Sequence, residues 1–467
     1  MPAAVTYIFL WQWMQTYARV PQAWIDNETL SNGLYGPDVA RAFWYMMASL
    51  VTMALMFRLV LGNLKPPSRA QATAHFRWQP RDIVMVYVAT VVVSMVAALA
   101  IRAVPSLGQV LDGVSRLKIV GLFTLFVYSL STGRGQTIMV AAVVFEVIVG
   151  FTGFLSDFRG VFIYLGIAAL AARVKMKGTT IAGALVALVA LVSLAMFWTS
   201  VKMDYRVFAA QSDESQAIKV PLSERMAYLG EKALGSGQMD VAGTSYALLS
   251  RLAYTDIFAA VVGVQDVAPE PVPLRQWSEA IGHVMMPRFL FPSKPPLVDS
   301  EVYARLAHAF ATERIREGTS ISVGYMGENY ADFSFPGMLF GIALLGLLLA
   351  GAIRALLNNE LPQVFREGII MAFAFSMARD GVEVSLPKVL GAMLMFTVIY
   401  LAMNKPVPAL HKVAQDVTCK KKLELIGERW LTAIEIQTEY LNLVTRYLPE
   451  LPAWAPDVCG RWEEVLR

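Results

Sequence analysis

The chain has 467 residues, 56% hydrophobic and only 16% charged, with a mean hydropathy of +0.51. A soluble globular domain carries about a quarter charged residues, so an ordinary soluble globule is excluded. The net charge of +4 gives no reason to invoke nucleic acid.

The apolar excess falls in blocks of about twenty residues between short polar or basic pieces, the pattern of a polytopic helical membrane protein. Strands of a membrane barrel would alternate over about ten residues instead. Ten spans are expected, at about 4–20, 41–62, 83–104, 117–133, 136–155, 159–173, 180–202, 336–355, 367–380 and 387–403. Gln12, Gln15 and Arg19 interrupt the first, and the sixth and ninth are short. No cleavable signal peptide is expected.

Basic residues in short connections set the orientation. Arg58, Lys65, Arg69, Arg77 and Arg81, then Arg134, then Arg173, Lys175 and Lys177, then Arg354 and Arg366, then Lys405 and Lys412 all fall on one side of this layout. The connection 24–40 carries Asp26, Glu28 and Asp38 with no Lys or Arg. Both termini are therefore expected in the cytoplasm, and residues 203–335 outside it.

Four expected domains follow: an N-terminal bundle at 1–202, an external helical domain at 203–335, three spans within 336–403, and a cytoplasmic tail at 404–467. In the external domain Leu222–Leu234, Thr244–Val262, Leu274–Met286 and Glu301–Ala311 read as amphipathic helices, punctuated by proline clusters. A short interfacial helix is expected around Ser106–Arg116. The tail is expected to form a helix from Lys420 to Tyr447, with Leu423, Ile426, Trp430, Ile434 and Leu441 on one side, lying near anionic headgroups or docking a partner. Cys419 and Cys459 both lie in this tail and define no disulfide framework.

Most catalytic signatures are missing from the sequence: no HExxH, no Cys or His pair at metal spacing, no GxxxxGK[ST] phosphate loop and no GxSxG elbow. A zinc or ATP enzyme is not expected, nor any cofactor. What remains is a set of cations at the expected outer face: Arg159, Arg251, Arg288, Lys294 and Arg379, with Arg314 and Arg316 before Gly318. Guanidinium groups near a bilayer are costly unless paired, and they hold phosphate as a bidentate fork. Several on one outer pocket would hold a diphosphate. Plainer roles exist for each: an ion pair of Arg159 with Asp157, of Arg251 with Asp256, of Arg379 with Asp380. His283 and His308 read as local hydrogen-bonding groups, with His283 also a candidate substrate contact. Asp26-Asn27-Glu28 is an acidic triplet of the kind that can hold a divalent metal, although no metal is expected. In Gly324–Gly337 glycines bracket Glu328, Tyr330 and Asp332 just before a span; such a segment can dip toward the membrane and present a carboxylate, or be an ordinary turn.

The run Pro287-Arg288-Phe289-Leu290-Phe291-Pro292-Ser293-Lys294-Pro295, with Gly327-Glu328-Asn329-Tyr330 and Phe333 to Gly337 beyond it, resembles the outer loop of Wzy-type oligosaccharide repeat-unit polymerases. Arg159-Gly160 opening a span, and a large outer loop ahead of three final spans, resemble that family too. Arg316 to Gly327 repeats an Arg-x10-Gly spacing associated with it, which arises readily by chance. The resemblance covers residues 80–403 in layout and about forty residues in motif, and leaves the tail beyond Pro406 unaccounted for.

It implies an all-α, GT-C-like glycosyltransferase of the bacterial inner membrane. Its donor and acceptor would be undecaprenyl-diphosphate-linked oligosaccharides, with a chain-length regulator and flippase as further partners. Arg159, Arg288 and Lys294 would match the family's basic positions, and Glu328 and Tyr330 its glycine-flanked segment. In such a reaction charge stabilisation of a diphosphate leaving group matters more than strong acid catalysis, and the acceptor hydroxyl needs a base, first Glu328 and then Asp332. The rival expectations are an O-antigen-ligase-like transferase leaning on His283 or His308, a lipid-linked oligosaccharide flippase, and a non-catalytic scaffold.

Overall fold

A computed structural model of the chain describes residues 2–25, 37–64, 72, 74–151, 158–175, 177–211, 219–235, 241–286, 288, 290–291, 293–295, 297–308, 321–358, 361–378 and 383–404. The described residues are helical or irregular, with no strand among them. Residues 1–400 form one compact unit and 401–467 a second.

In chain order the helices are α1 (Thr6–Tyr17), α2 (Arg19–Ile25), α3 (Pro37–Leu61), α4 (Pro80–Ala103), α5 (Gly108–Ser115), α6 (Leu117–Thr132), α7 (Gln136–Phe151), α8 (Arg159–Ala171), α9 (Gly178–Ala210), α10 (Leu222–Leu234), α11 (Val241–Leu252), α12 (Thr255–Val267), α13 (Arg275–Met285), α14 (Asp299–Ala307), α15 (Gly324–Leu357), α16 (Gln363–Ala378) and α17 (Leu386–Asn404). Local signals end several of them. Gln79 and Asp82 form a reciprocal capping box at the start of α4, with Pro80 at its first position, where a missing N–H costs nothing. Gly133, at φ 71°, closes α6 in the left-handed conformation, which glycine adopts without a Cβ penalty.

The long α15 is two helical pieces. Ser334 and Phe335 leave helical φ/ψ ahead of Pro336, which has no N–H to continue the ladder and crowds the preceding turn. The glycine-rich segment expected to dip or turn is thus the helical first piece of α15. It packs on α3, α12 and α13. A Cβ at Gly327 would stand 2.4 Å from the Val323 side chain and 3.6 Å from Phe258 and the Tyr254 hydroxyl, so glycine here permits close helix packing. The core runs through Met46, Phe57, Phe123, Phe126, Phe258 and Phe373, all buried.

The expectation of ten spans is corrected. Among the described residues four helices are long and apolar enough to cross a membrane: Asp38–Leu61, Pro80–Ile101, Gly178–Lys202 and Gly324–Leu357. Gln136–Phe151, Arg159–Ala171 and Leu386–Val398 are apolar but shorter. The first expected span breaks after Tyr17 into α1 and the seven-residue α2. In the stretch 203–335, α9 runs on to Ala210, and the helix expected over 244–262 is split at Ala253 and Tyr254 into α11 and α12. The tail helix expected after Lys420, with Cys419 and Cys459, lies outside the described residues.

Candidate functional site

The residues that carry most chemistry gather where the first piece of α15 meets the start of α17. Glu328 is buried, and its carboxylate accepts a hydrogen bond of 2.5 Å from the Leu386 backbone N–H. Leu386 is the first residue of α17, whose leading N–H groups have no intrahelical acceptor and carry partial positive charge. Asp299, at the start of α14, accepts from Ser385 Oγ at 3.1 Å and from Lys388 Nζ at 2.5 Å. Two carboxylates, a hydroxyl and an ammonium thus surround one helix start. Tyr325 N–H donates to the Val384 carbonyl at 2.8 Å, tying α15 to the residues leading into α17.

Four residues past Glu328, Asp332 accepts from the backbone N–H groups of Gln276 (3.0 Å) and Trp277 (2.9 Å). It therefore caps α13 from outside that helix. Between the two acids, Asn329 accepts from Trp277 Nε1 at 2.9 Å and donates to the Tyr325 carbonyl at 2.7 Å. Tyr330 donates to Asp266 at 2.5 Å, and Arg41 meets the same carboxylate at 2.5 Å while also pairing with Asp38. Burial pushes the Asp266 carboxyl up, but the Tyr330 hydroxyl and Arg41 outweigh it and hold it below the usual carboxylate range.

The other end of α13 carries a second cap. Lys294, buried, donates from Nζ to the His283 carbonyl at 2.5 Å, the favourable place for a cation beside a helix C-terminus. Arg288 donates to the Pro295 carbonyl at 3.3 Å. Burial, followed by the nearby charges of Lys294 and Arg288, holds the His283 imidazole below its ordinary value. Burial and then Arg288 lower Lys294 as well.

The expected site residues are thus brought together in two groups: Glu328, Tyr330 and Asp332 on α15, and His283, Arg288 and Lys294 around the end of α13. Arg159, exposed, lies over the Trp11 ring at 4.7 Å; among the described contacts none joins it to the second group. Asp256, expected to partner Arg251, stands 3.3 Å from Arg19; the Arg251 side chain lies outside the described residues, as do Arg379, Arg314, Arg316 and Asp26-Asn27-Glu28. His308 ends α14 at φ 50°. No group of three metal-type ligands forms among the described residues.

The sequence reading missed Asp299, Ser385 and Lys388, although one signal was present: Lys388 is a lone cation in the opening turn of an otherwise apolar helix. It also missed buried Glu270, which receives both Arg275 (3.2 Å) and Arg305. In chemical terms the arrangement is a helical bundle with charged groups at helix ends. Both carboxylates expected to act as bases spend their lone pairs on backbone N–H groups, and Lys294 spends its proton on a carbonyl.

Comparison with known proteins points away from the resemblance drawn above. The family model described as Pup-ligase protein matches residues 388–467. The Pup–protein ligase of Arthrobacter sp. (strain FB24) is 33% identical over 69 residues, 14% of this chain and 15% of its own length. The chain therefore spans about 15% of the length of the curated relative it matches. No solved structure matches.

These matches overturn the Wzy-type reading. The glycosyltransferase activity, the undecaprenyl-diphosphate oligosaccharide donor and acceptor, the polysaccharide-assembly partners, and the ligase-like and flippase rivals fall with it. The physical reason is visible at the motif: its Glu328 and Lys294 are helix caps, a use of charge that any helical protein can make.

Proposed function

We propose that this protein takes part in the joining of Pup to proteins, with residues 388–467 as the protein-facing part and the helical bundle as its membrane anchor. The observation that carries this reading is the Pup-ligase match, which begins at Lys388, inside the helix that Glu328 and Asp299 hold by its N-terminus. The partner is a protein, Pup itself or its acceptor.

The anchor is proposed as a multi-pass bundle of a bacterial inner membrane. Its spans are the four long apolar helices, joined by the shorter apolar α7, α8 and α17. Supporting this, the Gly178–Lys202 window has a mean hydropathy of 2.5 and is 0% buried. An apolar helix that the fold leaves uncovered requires an apolar solvent.

The test mixes the purified full chain in detergent micelles with Pup, an acceptor protein and ATP. Formation of a covalent Pup–acceptor product makes the chain a ligase in its own right. Binding of Pup or acceptor without product makes 388–467 a docking segment for ligation carried out elsewhere. The absence of both product and binding refutes the proposal.

A further inference from the structure

We propose that the cavity bounded by α5, α6, α7, α8 and α16 is a binding site for a phosphate group, on an amphipathic lipid or free in solution. Its volume is about 210 Å³, far above the ~10–15 Å³ that one water needs. Arg116, Lys118, Glu146 and Tyr164 supply its polar wall, and Leu122 and Phe375 are among its apolar residues.

Of the three charged residues lining it, two are cations. Glu146 is buried and already satisfied: the Tyr87 hydroxyl donates to one oxygen at 2.9 Å and Lys118 Nζ to the other at 3.1 Å. Arg116 is held in place at one edge, with Nη2 on the exposed Asp112 at 3.0 and 3.2 Å and its guanidinium carbon 5.3 Å from the Phe375 ring centroid. Its Nε is buried and bonds to nothing among the described residues. The guanidinium is thus held at the cavity wall in a fixed orientation, the state suited to fork-like recognition of a phosphate. Ser115 and Tyr164 also line this wall, with Ser115 Oγ donating to the Asp112 carbonyl at 2.7 Å.

The exposed pair with Asp112 is a weak competitor, because solvent-exposed ion pairs contribute little. Glu146 is the strong one, since it holds Lys118 back from the cavity. The outer surface of α7 beside the site is apolar and exposed at Val140, Val144 and Phe145, a path along which an acyl chain could lie.

The experiment uses the full chain. Calorimetric titration with inorganic phosphate in neutral detergent reads the free ion. Native mass spectrometry after release from phosphatidylcholine nanodiscs, with and without phosphatidylglycerol, reads a lipid headgroup. Binding in either arm is expected, and the arm that shows it names the source. Arg116→Ala should weaken that binding by about tenfold or more, with Arg134→Ala, an exposed cation elsewhere, as the matched control. Glu146→Gln should tighten it by freeing Lys118, a gain that a merely structural pair would not give. Absence of binding in both arms overturns the proposal. So does binding that Arg116→Ala leaves unchanged in a variant whose helical content matches the parent.

Discussion

At position 328 a glutamate keeps 3% of its surface exposed and gives its carboxylate to the first N–H of α17. A glutamine there retains one acceptor oxygen but brings a buried amide N–H₂ whose donors need partners. Glu328→Gln is therefore expected to destabilise the bundle by about 1–3 kcal/mol, read as a lower midpoint of thermal unfolding followed by tryptophan fluorescence. An unchanged midpoint would remove the cap from this account. His283 makes a pH prediction. Its imidazole is held below the ordinary value of 6.5 by burial and then by Lys294 and Arg288, so between that lowered value and 6.5 the unfolded chain binds more protons than the folded one. Stability should accordingly rise with pH through this window and fall as the solution is acidified through it, with no further loss from this group below it. Arg288→Gln should move the His283 titration, followed by NMR, back toward 6.5. A titration that does not move would mean that burial alone sets it.

Single elements show why charged residues in this chain were misread. In the sequence Glu328, Asp332 and Lys294 stand out because acids and bases are rare in apolar surroundings, and an intramembrane charge invites a functional reading. In the fold each meets a helix end, and so does Glu367, which accepts from the N–H groups of Ala3 and Ala4 at 3.3 and 3.2 Å, repeating what Glu328 does for α17 and Asp332 for α13. The partners are backbone N–H and C=O groups on other elements, 11 to 364 residues away, so no local spacing could reveal them. Where the signal is local, the sequence was legible. The amphipathic stretch Leu222–Leu234 matches α10 residue for residue, and α6, α16 and α17 begin or end within a few residues of their expected limits. The first piece of α15 was not legible, because Gly324 and Gly327 have poor helix propensity and only packing against Tyr254 and Phe258 makes a helix there. The two-ended capping of α13 gives a prediction at this scale: Asp332→Ala and Lys294→Met should each cost about 0.5–2 kcal/mol. Hydrogen exchange should quicken at the start of α13 in the first variant and leave its start unchanged in the second. Equal exchange along α13 in both would deny the caps their separate roles.

The whole chain combines two parts: a helical bundle in which Glu328, Asp332, Glu367 and Lys294 meet helix ends, and a terminal segment similar to part of a Pup–protein ligase. Only the first part was legible from composition, since hydropathy reports the solvent of a helix and says nothing of a polar tail's partner. The division makes a strong prediction. Residues 1–400 form a compact unit in themselves, and the core side chains Met46, Phe123, Phe258 and Phe373 all lie within it. A chain ending at Asn404 keeps α17, its contacts with Glu328 and Asp299, and every described ion pair of the bundle. It should therefore fold with the helical content and thermal midpoint of the parent's bundle, measured by circular dichroism in the same detergent. It should lose all binding of Pup and acceptor protein, because the matched segment beyond the helix is gone. The variant Lys388→Met tests the join in the opposite sense. It breaks the pair with Asp299 and leaves the tail intact, so binding should persist while the midpoint falls, since a largely buried carboxylate is left without its cation. If the shortened chain bound Pup as well as the parent, the protein-facing surface would have to lie on the bundle. If it failed to fold, the tail would be part of the core, and the assignment of anchoring to one part and partner recognition to the other would be wrong.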